Sequence, residues 1–446
     1  MPHPALDSRF RVSSPGIIQI KYGKFVLKHN VPLLPPHASR ALRQRGLRRF
    51  LFDGIDIVTE QQIQPKARPY FERRALHEGD LSKICAEEDT FFAYYDDEEH
   101  CTLSLPTTPN GYPEDARLQM QERFASGMQL DAPFVCEVPD VDLVGPDALA
   151  VTHGGYVFEN SLQYEKRLTV SGLRSLQRGV WPTQSRWLRP SARVETAVSL
   201  VGPWTNNYTH WFQDYLTRLE GLEHYRAKTG ENPTLLIPKD ASGWMRDALR
   251  AVGYPEDSWI EYPGGRVGVD RLVVPSVRHE AMADAEVHDR RRVYSPTGIR
   301  WLRNRILTNV EPVFTCEHSP RVYISRENAL KRRVVNQEQV MEVLSNWGFS
   351  AYRPEELSFA EQVTLFSNAE AIVAPHGSGL MNQMFAEDAV VVELMGKKQT
   401  VTSPATEYYY AELLGHDYGC VPGEPVGPDV RTDTEGVEAV LRELLG

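Results

Sequence analysis

The sequence predicts an α/β fold in which two Rossmann-like domains face a cleft, preceded by an irregular mixed N-terminal region. Short apolar runs typical of strands alternate with amphipathic helical segments from about residue 195. The alternation begins again after about residue 320, and this spacing is typical of βαβ units in mostly parallel sheets. We therefore expect an N-terminal region at 1–190, a first Rossmann-like domain at 191–295 and a second at 296–446.

Residues 1–190 have the weakest periodicity. Alternating apolar residues predict strands that begin near Gly16 and Gly155. Proline and glycine residues indicate loops at 32–36, 106–113 and 132–146. The acidic run Asp96 to Glu99 has the composition of a metal-binding motif, but such charge runs are usually solvated surface.

The first α/β block contains strands and helices of ordinary length. The predicted elements are a strand at 197–201, a helix at 208–225, a strand at 234–237, a helix at 242–252 and a strand at 271–274. Ser242 occupies the N-cap position of its helix and Gly253 follows the last residue, as expected at helix ends. A basic segment, Arg290 to Arg292, and a helix at 299–307 lead to the second block.

The second block repeats the pattern. The predicted elements are a strand at 321–325, a helix at 336–347, a strand at 349–352, a helix that begins after 358 and a strand that begins at 371. Asn336 is the expected N-cap of the first of these helices, and Gly348 follows its end. Ser358 and Glu361 have the spacing of a capping box.

The turn after the strand at 371 is the strongest candidate for a binding site. His376, Gly377, Ser378, Gly379 and Asn382 lie between two apolar runs, which predict buried parallel strands. Because glycines lack Cβ atoms, a phosphate or ribose could approach the main chain of this turn. The start of the following short helix adds backbone N–H groups that suit an anion.

Other interpretations of this turn remain open. A dinucleotide-binding fingerprint would need a third glycine where Asn382 stands. A nucleophile elbow centred on Ser378 would need glycine in place of His376. A tight turn without a ligand is the simplest alternative, although the polar residues His376, Ser378, Asn382 and Glu393 are more than a plain turn requires.

Basic residues follow a neighbouring strand of the same predicted sheet. Arg326 comes directly after the strand at 321–325, and Arg332 and Arg333 lie in the loop beyond it. Guanidinium groups match phosphate oxygens bidentately and stabilise the charge that develops on a departing diphosphate. The alternative is a solvated basic loop.

The predicted helix at 208–225 carries a polar stripe of His210, Asp214 and Arg218, spaced four residues apart. A histidine beside an aspartate at the carboxyl edge of a sheet is a competent acid–base pair. The alternative is a solvated helix face.

Composition indicates which kinds of partner and which cellular compartment to expect. The net charge is −11, from 49 basic and 60 acidic residues, which disfavours nucleic acid as the main partner. Five scattered cysteines, without a Cys-x-x-Cys pair, indicate neither a disulfide framework nor a zinc site. The N-terminus lacks an apolar signal core, so we expect a cytoplasmic protein with at most peripheral membrane contact. The patterns do not indicate an oligomeric state.

Four segments together resemble glycosyltransferase family 61. They are Val322 to Arg326, Phe359 to Gln362, Ala374 to Asn382 and Val390 to Leu394, and residues 207–214 are similar to the family's N-terminal signature. The resemblance covers about residues 200–420 and implies a GT-B fold, an inverting mechanism and a UDP-sugar donor. It also implies a glycan or glycolipid acceptor, as in the synthesis of surface or capsular polysaccharides. Ser378 and Met381 depart from the usual alanine and threonine.

These observations assign roles to individual residues. We expect Asp214 to be the general base, with His210 orienting it or the acceptor, while His210 is the competing candidate for the base. No metal ion is expected to be needed. The acceptor domain would be 191–295, with Asn207, Tyr208 and Arg218 as acceptor residues. The nucleotide-sugar domain would be 296–446, and its expected donor-binding residues are Arg326, Arg332, Arg333, His376, Gly377, Ser378, Gly379, Asn382 and Glu393. A non-catalytic protein that binds nucleotide sugars or glycans is the main alternative, and an oxidoreductase a more distant one.

Overall fold

The computed structural model describes residues 17–22, 25–30, 64–101, 104–109, 118, 128–157, 166–184, 187–281, 292–313, 318–396 and 406–446. The larger of two compact units comprises residues 59–327 and 332–446. The other comprises residues 1–58 and 328–331, and its described part contains an antiparallel hairpin of β1 and β2. Arg290, Arg291, Cys316 and the predicted loop at 32–36 lie outside the described residues.

The strands, in chain order, are β1 Ile17–Tyr22, β2 Phe25–Asn30, β3 Ala75–Leu76, β4 Phe92–Tyr94, β5 Glu99–Cys101, β6 Met128–Leu130, β7 Phe134–Val144, β8 Leu149–Val151, β9 Tyr156–Val157, β10 Ala192–Ser199, β11 Thr234–Ile237, β12 Trp259–Glu261, β13 Arg266–Pro275, β14 His279–Ala281, β15 Arg292–Tyr294, β16 Arg321–Ile324, β17 Ser350–Tyr352, β18 Ala371–Pro375, β19 Val390–Met395, β20 Asp417–Val426 and β21 Asp429–Thr432.

The α-helices are α1 Gln64–Glu72, α2 Glu78–Glu87, α3 Lys166–Gln177, α4 Tyr208–His210, α5 Leu219–Thr229, α6 Gly243–Val252, α7 Pro296–Asn309, α8 Gln337–Asn346, α9 Phe359–Ser367, α10 Thr406–Leu414 and α11 Thr434–Leu445. A π-helical turn, Trp211–Tyr215, and a 3-10 turn, Leu216–Arg218, connect α4 to α5. Further 3-10 turns are Glu256–Ser258, Pro354–Glu356 and Ser378–Phe385. Among the described residues, every helix is too short or too polar to cross a bilayer.

The first sheet has nine strands in the order β12-β11-β10-β13-β7-β8-β9-β3, and β4 also pairs with β7. The four strands β12, β11, β10 and β13 are parallel, and β13 pairs with β7 in antiparallel fashion. Within the parallel part, chain order runs outward from β10 in one direction and then returns beside it with β13. Such a reversal is a topological switch point, where crevices form beyond the carboxyl ends of the strands.

The second sheet has six strands in the order β17-β16-β18-β19-β20-β21. All neighbouring pairs are parallel except the antiparallel pair of β20 and β21. This is the doubly wound order of a flavodoxin-like sheet, and its switch point lies between β16 and β18. The loop that begins with Ser325 and the turn that begins with His376 leave the sheet at this point.

One apolar cluster extends over helices and strands of both sheets. The ring of Phe212 stacks on that of Phe359 with centroids 5.9 Å apart, and it meets the edge of Phe385 at 6.3 Å. Ile324 and Ile372 of the second sheet belong to the same buried cluster as Val198 and Leu235 of the first. The helix that bears the predicted acid–base pair is therefore packed against the sheet that bears the predicted nucleotide turn.

The structure confirms the alternation of strands and helices predicted for both α/β blocks. Thr234–Ile237 has the predicted bounds, and Ser358 and Glu361 form the predicted capping box. Two caps differ from the prediction. Ser242 has the N-cap position but makes no side-chain capping bond. The amide of Asn336 instead binds both backbone groups of Thr432, because a buried neighbouring strand offers it unpaired partners.

The prediction of a loop at 132–146 is wrong. Residues Phe134–Val144 form the longest strand of the first sheet, paired with β13, β4 and β8. Pro133, Pro139 and Gly145 suggested interruptions, yet the apolar residues between them are buried on both faces. Five strands from the region before residue 190 join this sheet, namely β3, β4, β7, β8 and β9.

Candidate active site

The turn after β18 is close-packed against the end of β16. A Cβ atom at position 377 would lie 2.5 Å from Nη1 of Arg326, and one at position 379 would lie 3.2 Å from Cγ2 of Ile324. The backbone N–H of His376 donates to the carbonyl of Leu394 at 3.2 Å, which fixes the turn to β19. The lack of a Cβ atom at 377 leaves room for the guanidinium of Arg326, and the contact at 379 shows that the turn is packed closely on Ile324.

Two arginines place positive charge at this switch point. Burial lowers the pKa of Arg326, and the neighbouring charge of Arg332 lowers it further. Arg332 donates from Nη1 to the carbonyl of His376 at 3.4 Å. Its φ of 60° is uncommon for a residue with a Cβ atom, and such conformations concentrate at functional sites. The guanidinium groups of both arginines therefore lie at the turn.

Arg333 has a different environment. Its Nε and Nη2 atoms both bind Oδ2 of the buried Asp429, and its backbone N–H donates to Oδ1 at 3.1 Å. The charge of Arg333 is thus balanced by a carboxylate of β21. Its predicted role in donor binding stays a prediction, with less support from the geometry than that of Arg326 or Arg332.

His376 lies between two buried carboxylates. Its Nδ1 atom is 2.7 Å from Oε1 of Glu393 and 3.3 Å from Oε2 of Glu407. Burial would lower the pKa of His376, but Glu407 and Glu393 outweigh it and raise the pKa to about 10. The other oxygen of Glu393 accepts a hydrogen bond from Tyr418. The ring is consequently held as an imidazolium at the start of the turn.

The group also has the composition of a metal site. The potential ligand atoms of His376, Glu393 and Glu407 all lie within 4.8 Å of one another. Two ligands of a tetrahedral zinc ion are separated by roughly 3.3 Å, given metal–ligand bonds of about 2.0 to 2.1 Å. The separation of 2.7 Å between His376 and Glu393 is instead that of a charge-assisted hydrogen bond. A shared proton fits this geometry better than a metal ion.

A hydrogen bond connects the two switch points. The hydroxyl of Tyr208 in α4 donates to Oδ1 of Asn382 at 2.6 Å. The amide of Asn382 donates to Oε1 of Gln362 at 3.2 Å, and Gln362 in turn donates to the carbonyls of Pro354 and Leu357. Burial raises the pKa of Tyr208, so its hydroxyl stays a neutral donor. Asn382 and Tyr208 thus contribute to positioning, whatever they contact in a substrate.

Asn207 and Ser378 lie at the same junction. The side chain of Asn207 caps α4 by accepting from the backbone N–H of His210 at 3.3 Å. The hydroxyl of Ser378 donates to the same oxygen at 3.5 Å. The start of α4 and the start of the 3-10 turn at 378 therefore face each other.

The polar stripe of the sequence prediction lies on a helix of irregular geometry. Trp211–Tyr215 forms a π-helical turn, and such single turns within helices are frequent at functional sites. The rings of Trp211, Phe212 and Tyr215 are buried in the common core, and the hydroxyl of Tyr215 donates to the carbonyl of Pro203 at 2.7 Å. Packing of these rings holds the opposite, polar side of the turn in a fixed position.

The carboxylate of Asp214 lies between two histidines. Oδ2 is 2.7 Å from Nδ1 of His210, and Oδ1 is 3.4 Å from Nδ1 of His279. The side chains of Asp214 and His279 are 0% exposed, whereas that of His210 is 21% exposed and stacks on Trp204. A substrate from solvent therefore meets His210 before it could reach Asp214.

Arg218, the third residue of the stripe, is buried. It lines a cavity beside the carboxyl end of β10 together with Ser199, Gly202 and Tyr215. The wall on the far side comes from the N-terminal region and includes Asp147 and Ser171. The predicted role of Arg218 in acceptor binding stays a prediction.

The acidic run at 96–99 is part of an ion-pair network. Asp96 and Glu99 lie 3.4 and 3.2 Å from Nη2 of the buried Arg278, and Glu220 lies 3.4 Å from its Nε. Glu99 also accepts from the backbone N–H of Thr297 at the start of α7. The run therefore supports the segment that delivers His279 to Asp214.

Sequence reasoning missed Glu407 and His279. Glu407 belongs to α10, beyond the last motif that the sequence offered, and nothing in its neighbourhood distinguishes it from a surface glutamate. His279 follows β13 at the carboxyl edge of the first sheet, where a histidine after a buried strand could have been recognised.

A mixed first sheet and a mostly parallel second sheet place a cationic glycine turn and a histidine–aspartate pair in one compact unit, the arrangement of an α/β enzyme. Residues 208–392 match the sequence profile of the family glycosyltransferase 61. The segment therefore belongs to that family, and the protein is a glycosyltransferase. The predicted family and enzyme class are confirmed. No curated protein matches the chain.

Proposed function

We propose that the protein is an inverting, metal-independent glycosyltransferase that moves a sugar from a UDP-sugar to a glycan or glycolipid acceptor of a surface or capsular polysaccharide. The acceptor and its cytoplasmic setting, with at most peripheral membrane contact, are suggested by the resemblance to the family. The proposal includes a GT-B arrangement, with residues 191–295 as the acceptor domain and 296–446 as the donor domain.

The proposal rests mainly on the switch point between β16 and β18, where Arg326, Arg332 and His376 converge. Positive groups in a partly buried site stabilise the charge that a nucleoside diphosphate gains as it departs. Ser378, Gly377 and Gly379 supply a turn that a phosphate can approach. Asn382 and Glu393 hold this turn to its neighbours.

We propose that His210 is the general base, which reverses the roles expected from the sequence. Asp214 is fully buried and bound to Nδ1 of His210, so it is placed to orient the imidazole and stabilise its protonated form. Proton transfer then falls to Nε2 of His210. The acceptor oxygen attacks the anomeric carbon while its proton passes to His210, and the bond from that carbon to the UDP oxygen breaks with inversion.

Release of UDP from candidate UDP-sugars, measured with and without EDTA, tests this function. We expect unchanged rates in EDTA because arginine and imidazolium side chains already supply the positive charge. Loss of activity that manganese or magnesium restores would overturn metal independence. Absence of UDP release with every donor tested, in the presence of a competent glycan acceptor, would overturn the choice of nucleotide.

A further inference from the structure

Protonation of His376 changes the charge of the turn at 376 by one unit. Arg326 and Arg332 contribute positive charge there, and Glu355, Glu393 and Glu407 contribute negative charge. A charged His376 therefore makes the cluster more favourable for an anion. An anionic diphosphate gains from this site chiefly when the imidazole is charged.

The geometry fixes which nitrogen of His376 carries which hydrogen bond. Nδ1 lies within 3.3 Å of carboxylate oxygens on both Glu393 and Glu407, so it must carry a hydrogen. The second ring nitrogen, Nε2, has no hydrogen-bond partner within the described residues, and 15% of the side chain is exposed. An imidazolium in this orientation directs a second N–H donor away from the carboxylates.

The main chain of Glu407 is hydrogen-bonded to the turn that follows His376. Its backbone carbonyl accepts from Nε2 of Gln383 at 3.2 Å, and Gln383 belongs to the 3-10 turn that follows His376. Glu393 in contrast shares its charge with the hydroxyl of Tyr418. The side-chain carboxylate of Glu407 forms an ion pair with His376.

We propose that Glu407 is a positioning residue which, together with Glu393, keeps His376 as an imidazolium whose Nε2–H donates to the diphosphate of the donor. The inference rests on the proposed function for its ligand. It adds a residue outside the segment that matches the family and explains why two carboxylates lie in a site for an anion.

A phenol and a thiol lie near Glu393, the partner of His376. Burial keeps the pKa values of the Tyr418 hydroxyl and the Cys420 thiol well above their ordinary ones, so neither group loses its proton between pH 7.5 and 9. Glu407 remains ionised because His376, against the effect of burial, lowers its pKa. The diphosphate of UDP is fully ionised in this range, since a second phosphate pKa is about 6.

The test measures UDP affinity by calorimetry at pH 7.5 and pH 9 for wild type, Glu407→Gln and the control Glu387→Gln. The control makes the same chemical change on a side chain that is 80% exposed. We expect less than a twofold change with pH for wild type and control. Glu407→Gln should lose affinity about tenfold over this range, because the loss of a charged hydrogen bond has that scale. A Glu407→Gln protein with the same flat profile as wild type would overturn the proposal.

A second measurement needs neither UDP nor a folded Glu407 variant. Imidazole signals of wild type are followed by NMR from pH 6 to 10, and the signal of His376 is assigned by its loss in His376→Gln. A ring that stays charged above pH 8.5 supports the proposal, and one that loses its proton near pH 6.5 overturns it. If UDP does not bind but His376 stays charged, the choice of nucleotide fails and the carboxylate pair stands.

A last measurement tests whether His376, Glu393 and Glu407 bind a metal ion instead. Thermal stability of metal-free wild type and Glu407→Gln is measured with added zinc or manganese. We expect no stabilisation that depends on Glu407. Stabilisation of wild type alone would instead identify His376, Glu393 and Glu407 as metal ligands and overturn the proposal.

Discussion

At the scale of single residues, burial decides which member of the His210–Asp214 pair can contact a substrate. Asp214 is enclosed by His210 and His279, and its side chain has no exposed surface. A carboxylate in this setting orients an imidazole and compensates its charge, whereas the more exposed imidazole exchanges the proton.

The first prediction concerns this pair. His210→Ala should lower the rate of transfer by about 10² to 10⁴-fold, the usual contribution of a general base, with UDP affinity nearly unchanged. Asp214→Asn should also lower it, because the amide no longer fixes the tautomer of the ring. The measurement is steady-state transfer, and His153→Ala, a change of an exposed histidine, is the control.

Added imidazole separates the two roles. It should restore part of the activity of His210→Ala, since a free imidazole can occupy the vacated position, but not that of Asp214→Asn. If His210→Ala keeps most of its activity while Asp214→Asn loses nearly all, Asp214 is the base, as the sequence first suggested.

At the scale of elements, the glycine turn combines two functions that the sequence alone could not separate. It was expected to leave room for a phosphate. The structure adds that Gly377 leaves room for the guanidinium of Arg326. The turn therefore positions a positive charge as well as its own backbone groups.

Gly377→Ala tests this function of the turn. The added Cβ would lie 2.5 Å from Nη1 of Arg326, so the guanidinium must move. We expect UDP binding to weaken by about 1.5–3 kcal/mol, the scale of a charged hydrogen bond. Calorimetry with UDP gives the change, and Gly243→Ala, where a Cβ atom meets nothing within 4 Å, is the control. Equal UDP affinity in Gly377→Ala and wild type would show that Arg326 does not depend on this glycine.

Local signals explain which elements the sequence could predict. The turn, the capping box at Ser358 and the strand at Thr234 depend on residues adjacent in the chain, and they were predicted correctly. The sequence did not predict the strand Phe134–Val144, because the prolines and glycine in and beside it usually indicate turns. Pairing with β13 outweighs that local preference. The cap at Asn336 failed for a similar reason, since a distant strand competes for its amide.

The residues of the candidate site also differ in how far the sequence could predict them. Arg326 and His376 lie just after strands, and Asn382 lies in the short turn beyond the second of them, so their convergence followed from the parallel sheet. Glu407 reaches the site only through tertiary packing, and one sequence carries no trace of that contact. His279 follows a buried strand and could have been recognised, but its contact with Asp214 depends on the fold. The burial of Asp214, on which the proposed role of His210 as base depends, likewise involves a residue more than 60 positions away in the chain.

At the scale of the whole molecule, the two sheets share a core and a polar junction. Residues 59–327 and 332–446 form one compact unit, within which Tyr208 binds Asn382 and Phe212 packs on Phe359. The acid–base pair and the cationic turn are thereby held in a defined relation.

Tyr208→Phe tests the polar junction. It removes the donor to the buried Oδ1 of Asn382, and an unsatisfied buried acceptor costs about 1–3 kcal/mol. We expect the free energy of unfolding in urea to fall by that amount and transfer to slow. Tyr94→Phe, which removes a hydroxyl bonded to Glu78 at an exposed position, should change neither. Unchanged stability of Tyr208→Phe would show that the junction does not hold the sheets together.

The central claim is that a metal-independent diphosphate site lies between Arg326 and the turn at 376–382. It is tested most directly by measuring the equilibrium binding of UDP to wild type and to Arg326→Ala in the presence of EDTA. We predict saturable binding to wild type and a loss of about 1.5–3 kcal/mol in folded Arg326→Ala, with Arg442→Ala, an exposed arginine of α11, unchanged. Equal UDP affinity in wild type and Arg326→Ala, or no binding by wild type without a divalent metal, would contradict it.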